Sequence, residues 1–207
     1  MAMAVVAAIP PAHITGLLLA GGRGARMGHV DKGLQPFRGK PLAAHVIERL
    51  AGQTGALAIN ANRHQGDYAA FNLPVWPDLL PDFPGPLAGL HTGLTHCATD
   101  YLAAAPCDSP LLPLDLVPRL AAALIEQQAD AAIAVTGRID HADFQRHPVF
   151  CLLRKTLLSS LTDYLQQDGR KMERWFAGIR TAEVRFDDEA AFSNINTLQE
   201  LRQLESE

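Results

Sequence analysis

Short apolar runs alternate with longer amphipathic stretches along the chain. Apolar runs of four to six residues, the length of strands, lie at residues 14–19, 56–59, 101–105, 131–135, 148–153 and 181–186. Stretches of helical period lie at residues 41–50, 87–97, 113–127, 155–166 and 197–204. In the first stretch, Leu42, Val46 and Leu50 are spaced to share one helix face. This alternation predicts an α/β fold whose mostly parallel sheet is covered on both faces.

The segments that follow the strands are the candidate ligand-binding positions, because such sheets bind ligands beyond the carboxyl ends of their strands. These segments lie at residues 20–28, 60–64, 76–78 and 107–109. We find no internal repeat or linker that divides the chain. We therefore expect a single domain over residues 14–207, preceded by a loose extension at residues 1–13.

The composition narrows the classes of partner. The chain has 207 residues, 48% of them apolar, and a formal net charge of −4. These values exclude a disordered tail and argue against a general binder of nucleic acid or of membrane surfaces. The sum conceals a local excess of cations, since residues 23–40 hold five Lys or Arg and one Asp, a charge of +4 against −8 elsewhere.

The N-terminal residues and the cysteines both favour a cytoplasmic protein. Residues 1–22 are apolar, but they lack Lys and Arg and are interrupted by Pro10 and Pro11, unlike a secretory signal. No segment reaches the roughly 20 apolar residues that a membrane-spanning helix needs. The three cysteines form no C-x-x-C pair, which predicts neither a disulfide framework nor a thiolate zinc site. We interpret Cys107 as a small buried residue.

A glycine-rich loop follows the first predicted strand. Residues 20–28 (AGGRGARMG) contain four glycines, which let backbone N–H groups approach a ligand where side chains would block it. The loop matches neither the P-loop nor the G-x-G-x-x-G motif, and a plain turn is the alternative. Without an anion, Arg23, Arg26 and Lys32 would repel one another, so they favour a phosphate site.

Asp108 follows a predicted buried strand and lies between Pro106 and Pro110. A carboxylate in this position suits Mg²⁺, which proteins hold with one or two carboxylates together with substrate phosphates. An Asx turn or a helix N-cap is the alternative. Segment 194–196 precedes a predicted helix, and Asn196 or Thr197 as the N-cap of that helix explains it without a function. The eight histidines lack metal-binding spacing.

Together these motifs resemble those of a known enzyme family. Leu19-Ala20-Gly21-Gly22, Arg26-Met27-Gly28 and Asp31-Lys32 are similar to the L-A-G-G, R-M-G and D-K signature of nucleotidyltransferases, and among them of the molybdenum cofactor guanylyltransferases. Segments 60–64, 84–89, 106–110 and 194–197 agree in the same order, so the resemblance covers residues 14–204. Gly21-Gly22 favours guanylate over the cytidylate used by similar enzymes.

The resemblance implies a Rossmann-like three-layer α/β/α nucleotidyltransferase fold. It also implies transfer of GMP from GTP to the terminal phosphate of molybdopterin, with release of pyrophosphate. The implied cofactor is Mg²⁺ with Asp108 as its ligand, and the implied catalytic residues are Lys32, Asp108 and Arg26. The implied nucleotide-binding residues are Leu19, Ala20, Gly21, Gly22, Arg23, Lys32, Asn60, Asp78 and Asp108. The implied pterin-binding residues are Arg170, Lys171, Asn194 and Asn196.

Asp78 is a candidate for recognising the base. Guanine presents N1–H and N2–H₂ side by side, and one carboxylate can accept both hydrogen bonds. A turn-capping role is the ordinary alternative for an Asp that follows a short strand and a proline.

Two other functions stay open. A CTP-dependent or sugar-phosphate nucleotidyltransferase would share the loop and the metal site. A GTP-binding sensor would bind without catalysis, although the P-loop and an N-K-x-D motif are missing from the sequence. The expected partners are GTP, molybdopterin with or without molybdenum, and other molybdenum-cofactor assembly proteins, but neither nucleic acid nor membrane. We expect a monomer.

Overall fold

A seven-stranded sheet forms the centre of the computed structural model, which describes residues 8–20, 31–80, 85–137, 144–193 and 200. Its strands are β1 (Ile14–Leu19), β4 (Ala56–Asn60), β5 (Val75–Trp76), β6 (Tyr101–Pro106), β7 (Ala131–Thr136), β8 (Gln145–Arg154) and β9 (Thr181–Arg185). Their order is β5-β4-β1-β6-β8-β7-β9. β8 is antiparallel to β6 and β7, and the other neighbours are parallel. A separate antiparallel ribbon joins β2 (Pro36–Phe37) and β3 (Lys40–Pro41).

Helices connect these strands and cover both faces of the sheet. The α-helices in the described part of the chain are α1 (Leu42–Ala51), α2 (Gln65–Ala69), α3 (Pro86–His96), α4 (Leu116–Glu126), α5 (Leu158–Gln166) and α6 (Met172–Ala177). Short 3₁₀ turns lie at Pro11–His13, Lys155–Leu157 and Ala190–Phe192. The longest described helices, α3 and α4, have 11 residues, so none found there has the length and apolar character needed to cross a bilayer.

The two faces of the sheet carry separate hydrophobic cores. Leu17 and Leu18 are neighbours in β1 and point to opposite faces, because side chains alternate along a strand. Leu18 packs in the core that includes Val46 of α1 and Leu120 of α4. Leu17 packs in the core that includes Leu90 of α3 together with buried side chains of α5 and α6. The predicted three-layer α/β/α architecture is confirmed.

Several elements differ from the predicted ones for identifiable reasons. α4 begins at Leu116 rather than at residue 113, which leaves Pro118 in the first turn, where its missing N–H costs least. β8 is longer than predicted because its polar first half pairs with β7, across a register shift between Ile133 and Ala134. α2 and α6 were not predicted, since five and six residues are too short for a clear helical period. Apart from residue 200, the predicted helix at 197–204 lies outside the described residues.

Residues 9–13, which belong to the predicted N-terminal extension, make several contacts with the rest of the chain. Ile9 packs against the core that contains α1 and α4. The 3₁₀ turn Pro11–His13 begins with a proline, whose fixed φ suits the start of a helical turn. His13 Nδ1 lies 2.9 Å from Asp100 Oδ2, and a Cβ placed on Gly55 would lie 2.7 Å from Pro11 O. This segment is therefore packed against the end of the sheet.

Candidate active site

Four strand ends meet at one edge of the sheet. Leu19 lies opposite Asn60 in β4 and opposite Pro106 in β6, and Asn60 lies opposite Trp76 in β5. From β1, the chain builds β4 and β5 to one side and then crosses to β6 on the other side. Open α/β sheets bind ligands where the strand order reverses in this way. The predicted edge is therefore formed by these four strand ends, with the end of β1 between those of β4 and β6.

A lysine and a carboxylate form an ion pair beyond the ends of β1 and β6. Lys32 Nζ lies 3.2 Å from Asp108 Oδ2, and the two side chains are 24% and 12% exposed. Cys107 N donates to Leu19 O at 3.0 Å, which extends the β1–β6 pairing by one residue and leads the chain directly to Asp108. Because the pair is partly shielded from water, its charges act more strongly on a bound ligand than exposed charges would.

Two backbone hydrogen bonds join the segment after Lys32 to the start of α1. Gly33 O accepts a hydrogen bond from Ala43 N, and Gln35 O accepts one from Leu42 N, both at 2.9 Å. The N–H groups in a first helical turn have no partner within the helix, and α1 has no side-chain cap. The Lys32 segment and the helix start therefore stabilise each other.

Two hydrogen bonds to the same carboxylate oxygen orient the side chain of Asp31. Its Oδ1 accepts a hydrogen bond from Gly33 N at 3.1 Å and another from the hydroxyl of Tyr68 at 2.6 Å. Tyr68 comes from α2 and is fully buried. Burial raises the pKa of Tyr68, and the neighbouring Cys107 and Asp31 raise it further, so the hydroxyl stays protonated and donates.

Cys107 is buried beside this cluster. Burial raises the pKa of its thiol, and the neighbouring Asp108 and Asp31 carboxylates add to that rise. A thiol is nucleophilic as the thiolate, so Cys107 is not activated for attack.

Asp78 lies within a network of asparagine side chains. Asn60 Nδ2 donates to Asp78 Oδ1 at 2.9 Å and to Trp76 O at 3.0 Å. Asn62 Nδ2 donates to Asp78 Oδ2 at 2.7 Å, and Asn62 Oδ1 accepts from Asp78 N at the same distance. A carboxylate has about four acceptor positions, so the asparagines orient Asp78 and leave acceptor positions for a ligand.

Helix α3 approaches the strand ends closely at Gly89. A Cβ at this position would lie 2.4 Å from Asn60 Oδ1 and 2.6 Å from Leu19 Cδ2. Both distances are far below ordinary contact. The absence of a side chain at Gly89 is therefore required for Asn60 to keep its orientation.

Helix α5 runs antiparallel to α3. Near its start, Lys155 Nζ donates to Cys97 O, just beyond the end of α3, at 2.5 Å. Farther along, His91 Nε2 lies 3.1 Å from Thr162 Oγ1. The end of α5 therefore points toward the start of α3 and toward the ligand edge of the sheet.

Arg170 and Lys171 follow the end of α5, on that side of the molecule. Arg170 pairs with Asp168 in the same turn. Lys171 O accepts a hydrogen bond from the Tyr164 hydroxyl at 2.9 Å, and Lys171 precedes the first residue of α6. The two residues predicted to contact the pterin therefore lie in the turn between α5 and α6, at the end of α5 that points toward the ligand edge.

The predicted site residues divide into four groups, the first of which is Arg170 and Lys171 beyond the end of α5. Lys32 is in contact with Asp108, and Asn60 is in contact with Asp78. Leu19 is the last residue of β1, and Ala20, which follows it, donates its N–H to Asn60 O at 2.8 Å. Six further predicted residues lie outside the described part of the chain: Gly21, Gly22, Arg23, Arg26, Asn194 and Asn196.

Sequence reasoning assigned no contact to Tyr68, Asn62 or Gly89. Tyr68 had a weak signal, as an aromatic residue in the polar segment 61–69. Asn62 is two residues beyond Asn60, and only the hydrogen bonds in the structure distinguish its role. Gly89 lies in segment 84–89, which contributes to the resemblance, but its close approach to Asn60 depends on how α3 packs.

Asp108 has the chemistry of a magnesium ligand. In the residues that the structure describes, no three or more His, Cys, Asp or Glu side chains gather into a group that could hold a metal by themselves. A single carboxylate at a ligand edge suits Mg²⁺, which takes its other ligands from phosphate and water. Asp108 therefore fits the metal that the resemblance implies.

Solved structures define the class of the fold. Molybdopterin-guanine dinucleotide biosynthesis protein A from Archaeoglobus fulgidus matches with a TM-score of 0.74 and 21% identity, over 93% of this chain and 97% of that one. The 4-diphosphocytidyl-2C-methyl-D-erythritol synthase from Anaerococcus prevotii matches with a TM-score of 0.73 and 12% identity, over 95% and 96% of the two chains. The chain therefore has an α/β nucleotidyltransferase fold.

Closer relatives identify the family. The model of the MobA-like NTP transferase domain matches residues 16–184. The molybdenum cofactor guanylyltransferase of Bordetella petrii is 55% identical over 196 residues, which cover 95% of this chain and 99% of the relative. The enzyme of the same name from Cupriavidus necator is 57% identical over 189 residues, which cover 91% and 94%. The chain belongs to the MobA-like NTP transferase family, within the group of molybdenum cofactor guanylyltransferases, and the resemblance found in the motifs is confirmed.

Proposed function

We propose that the chain transfers GMP from GTP to the terminal phosphate of molybdopterin and so forms the guanine dinucleotide of the molybdenum cofactor. An oxygen of the pterin phosphate attacks the α-phosphorus of GTP, the bond from that phosphorus to the β-phosphate oxygen breaks, and pyrophosphate leaves. The single observation that carries the proposal is the Lys32–Asp108 pair at the sheet edge where the strand order reverses. Membership of the family supports the same reaction.

The protein's main task is positioning and charge neutralisation, because the acceptor phosphate is already a competent nucleophile. We assign the Lys32 ammonium to the triphosphate, together with Arg23, Arg26 and the backbone N–H groups of the glycine-rich loop. Negative charge increases on the transferring group and on the leaving pyrophosphate. A nearby fixed ammonium lowers the energy of that charge distribution.

Asp108 is the proposed magnesium ligand. When bound, Mg²⁺ supplies positive charge to the phosphate oxygens at the reacting centre. Asp108 also pairs with Lys32, so its carboxylate holds the ammonium close to the position assigned to the phosphates.

Asp78 and Asn60 are the proposed base contacts. Asn60 and Asn62 already orient the Asp78 carboxylate, so it can accept guanine N1–H and N2–H₂ without first losing conformational freedom. Adenine presents a different donor pattern at those positions, and this difference is the proposed source of selectivity for GTP.

The acceptor side is assigned to Arg170, Lys171, Asn194 and Asn196. Two cations beyond the end of α5 suit a phosphorylated pterin. We further infer a cytoplasmic monomer with one nucleotidyltransferase domain over residues 14–207, which exchanges its pterin with other molybdenum-cofactor assembly proteins.

Pyrophosphate release tests the reaction. The chain is incubated with Mg²⁺, molybdopterin and GTP, ATP or CTP in turn, and separately with a sugar phosphate as acceptor. We expect release only with GTP and the pterin. Release with CTP or with a sugar phosphate supports another nucleotidyltransferase, and GTP binding without release supports a sensor.

A further inference from the structure

A buried tyrosine donates a hydrogen bond to the residue that precedes Lys32, the lysine that the proposed function assigns to the triphosphate. Tyr68 is fully buried, and its hydroxyl donates to Asp31 Oδ1 at 2.6 Å. Asp31 directly precedes Lys32 in the chain. The proposed function gives neither Tyr68 nor Asp31 a role.

We propose that Tyr68 is a positioning residue for Lys32: through the Asp31 carboxylate, its hydroxyl fixes the backbone that presents the lysine to the nucleotide phosphates. The proposal rests on the proposed function, since it concerns the same site. It assigns no contact between Tyr68 and the substrate.

The contacts around Asp31 leave this segment little freedom. Asp31 Oδ1 accepts from Gly33 N at 3.1 Å, which closes a turn around Lys32. The main-chain oxygen of Asp31 accepts from Gln35 Nε2 at 3.1 Å. Lys32 O accepts from Gln35 N at 3.0 Å, on the other side of the turn. Tyr68 is the member of this network that comes from a distant part of the chain, so it ties the turn to the body of the domain.

Packing places the tyrosine hydroxyl directly against the turn. A Cβ on Gly33 would lie 2.4 Å from Tyr68 Oη and 3.0 Å from Cys107 Sγ. Cys107 in turn precedes Asp108, the partner of Lys32. The same buried cluster therefore supports both members of the ion pair.

A phenylalanine would fill the space equally well, which makes the hydroxyl the informative group. Burying a hydroxyl is unfavourable unless it is hydrogen-bonded, and a hydrogen bond to a charged acceptor is stronger than one between neutral groups. The Tyr68 ring therefore supplies the hydrophobic burial, and its hydroxyl orients the Asp31 carboxylate.

Tyr68→Phe tests the role. We expect kcat/KM for GTP to fall by about tenfold, from the loss of one hydrogen bond to a charged group. Tyr101→Phe is the matched control, because it removes a hydroxyl that accepts from Arg154 Nη1 at 3.1 Å, at the opposite end of β6. The control should keep the wild-type kcat/KM. Wild-type kinetics for Tyr68→Phe would overturn the positioning role.

A double-mutant cycle separates positioning from a general structural role. In a Lys32→Ala background, Tyr68→Phe should have no further effect, because the residue that it positions is absent. An equal tenfold loss in both backgrounds would show that Tyr68 acts on the site independently of Lys32 and would contradict the proposal.

Two further measurements cover the case in which Tyr68→Phe does not fold. Asp31→Asn keeps an acceptor for the Tyr68 hydroxyl and should retain most of the wild-type kcat/KM. Asp31→Ala removes that acceptor, so its kcat/KM should fall by about tenfold or more, as for Tyr68→Phe. Equal kcat/KM for these two variants would overturn the role.

GTP binding without an acceptor keeps the two proposals distinguishable. Calorimetry should show weaker GTP binding to Tyr68→Phe than to the wild type, and unchanged affinity would again contradict the positioning role. A wild-type chain that binds GTP but transfers nothing would overturn the proposed function, and this binding comparison would still decide the role of Tyr68.

Discussion

Replacing Gly89 by alanine should weaken GTP binding by displacing Asn60, one of the two proposed base contacts. The new Cβ would lie 2.4 Å from Asn60 Oδ1, about 1 Å inside ordinary contact. We expect the Asn60 amide to rotate away from the new Cβ, because α3 is buried along most of its length and cannot easily shift. Rotation would break the hydrogen bonds from Asn60 Nδ2 to Asp78 and to Trp76.

The magnitude follows from the contacts that are lost. A hydrogen bond to a charged acceptor contributes about 1.5–3 kcal/mol, and about 1.4 kcal/mol corresponds to a tenfold change in an equilibrium constant. We therefore expect GTP binding to weaken by about tenfold to a hundredfold in Gly89→Ala. The folded state should change less, because overpacking costs about 1–3 kcal/mol and alanine recovers about 1 kcal/mol of helix propensity.

Gly93→Ala is the matched control in the same helix. Its Cβ would lie 2.6 Å from Leu17 Cδ2 and 2.8 Å from Leu102 Cδ2, so it crowds the core and not the site. Isothermal calorimetry with GTP and urea unfolding should be run on both variants. We expect similar losses of stability, with weakened GTP binding only in Gly89→Ala. Equal GTP affinities in the two variants would refute the role given to Asn60.

Lys32→Ala should lower kcat/KM by about 10²-fold, as for the loss of one preorganised electrostatic donor, and near wild-type turnover would remove Lys32 from the chemistry. Asp78→Asn should reduce the preference for GTP over ATP in a competition assay, and an unaltered preference would exclude Asp78 as the base contact. Burial lowers the pKa of His91 below the ordinary value of about 6.5 for histidine. The unfolded chain therefore takes up the proton first, and stability should fall as the pH drops below about 6.5. Thermal unfolding at pH 7.5 and 5.5 should show a smaller loss for His91→Gln, and an identical loss would contradict this assignment.

The sequence predicts the positions of the buried central strands accurately. β1, β4, β6 and β7 are short apolar runs bounded by turns, and their bounds agree with the structure within one residue. The direction of β8 could not be predicted, because a buried strand has the same apolar pattern whether it is parallel or antiparallel. The sequence did not predict α6, although Met172, Trp175 and Phe176 share one face. A helix of six residues is too short for its period to be distinguished from a loop.

The sequence indicates the residues of the candidate site one by one, but it does not indicate the hydrogen bonds that join them. Lys32, Asp108, Asn60 and Asp78 stand out because each follows a strand or a glycine-rich loop. Their supporting contacts join positions that are far apart in the chain, such as Tyr68 with Asp31. Such contacts depend on how α2 and α3 pack, which local periodicity does not specify.

The most direct test of the central claim follows the α-phosphate of GTP. Purified chain, Mg²⁺ and molybdopterin are incubated with GTP that carries a radioactive α-phosphate, and the products are separated by chromatography. We predict that the label moves into a pterin dinucleotide whose mass exceeds that of molybdopterin by one GMP minus water. Label that stays in GTP or appears only in free GMP or GDP, while the protein is folded and binds GTP, would contradict the proposed transfer.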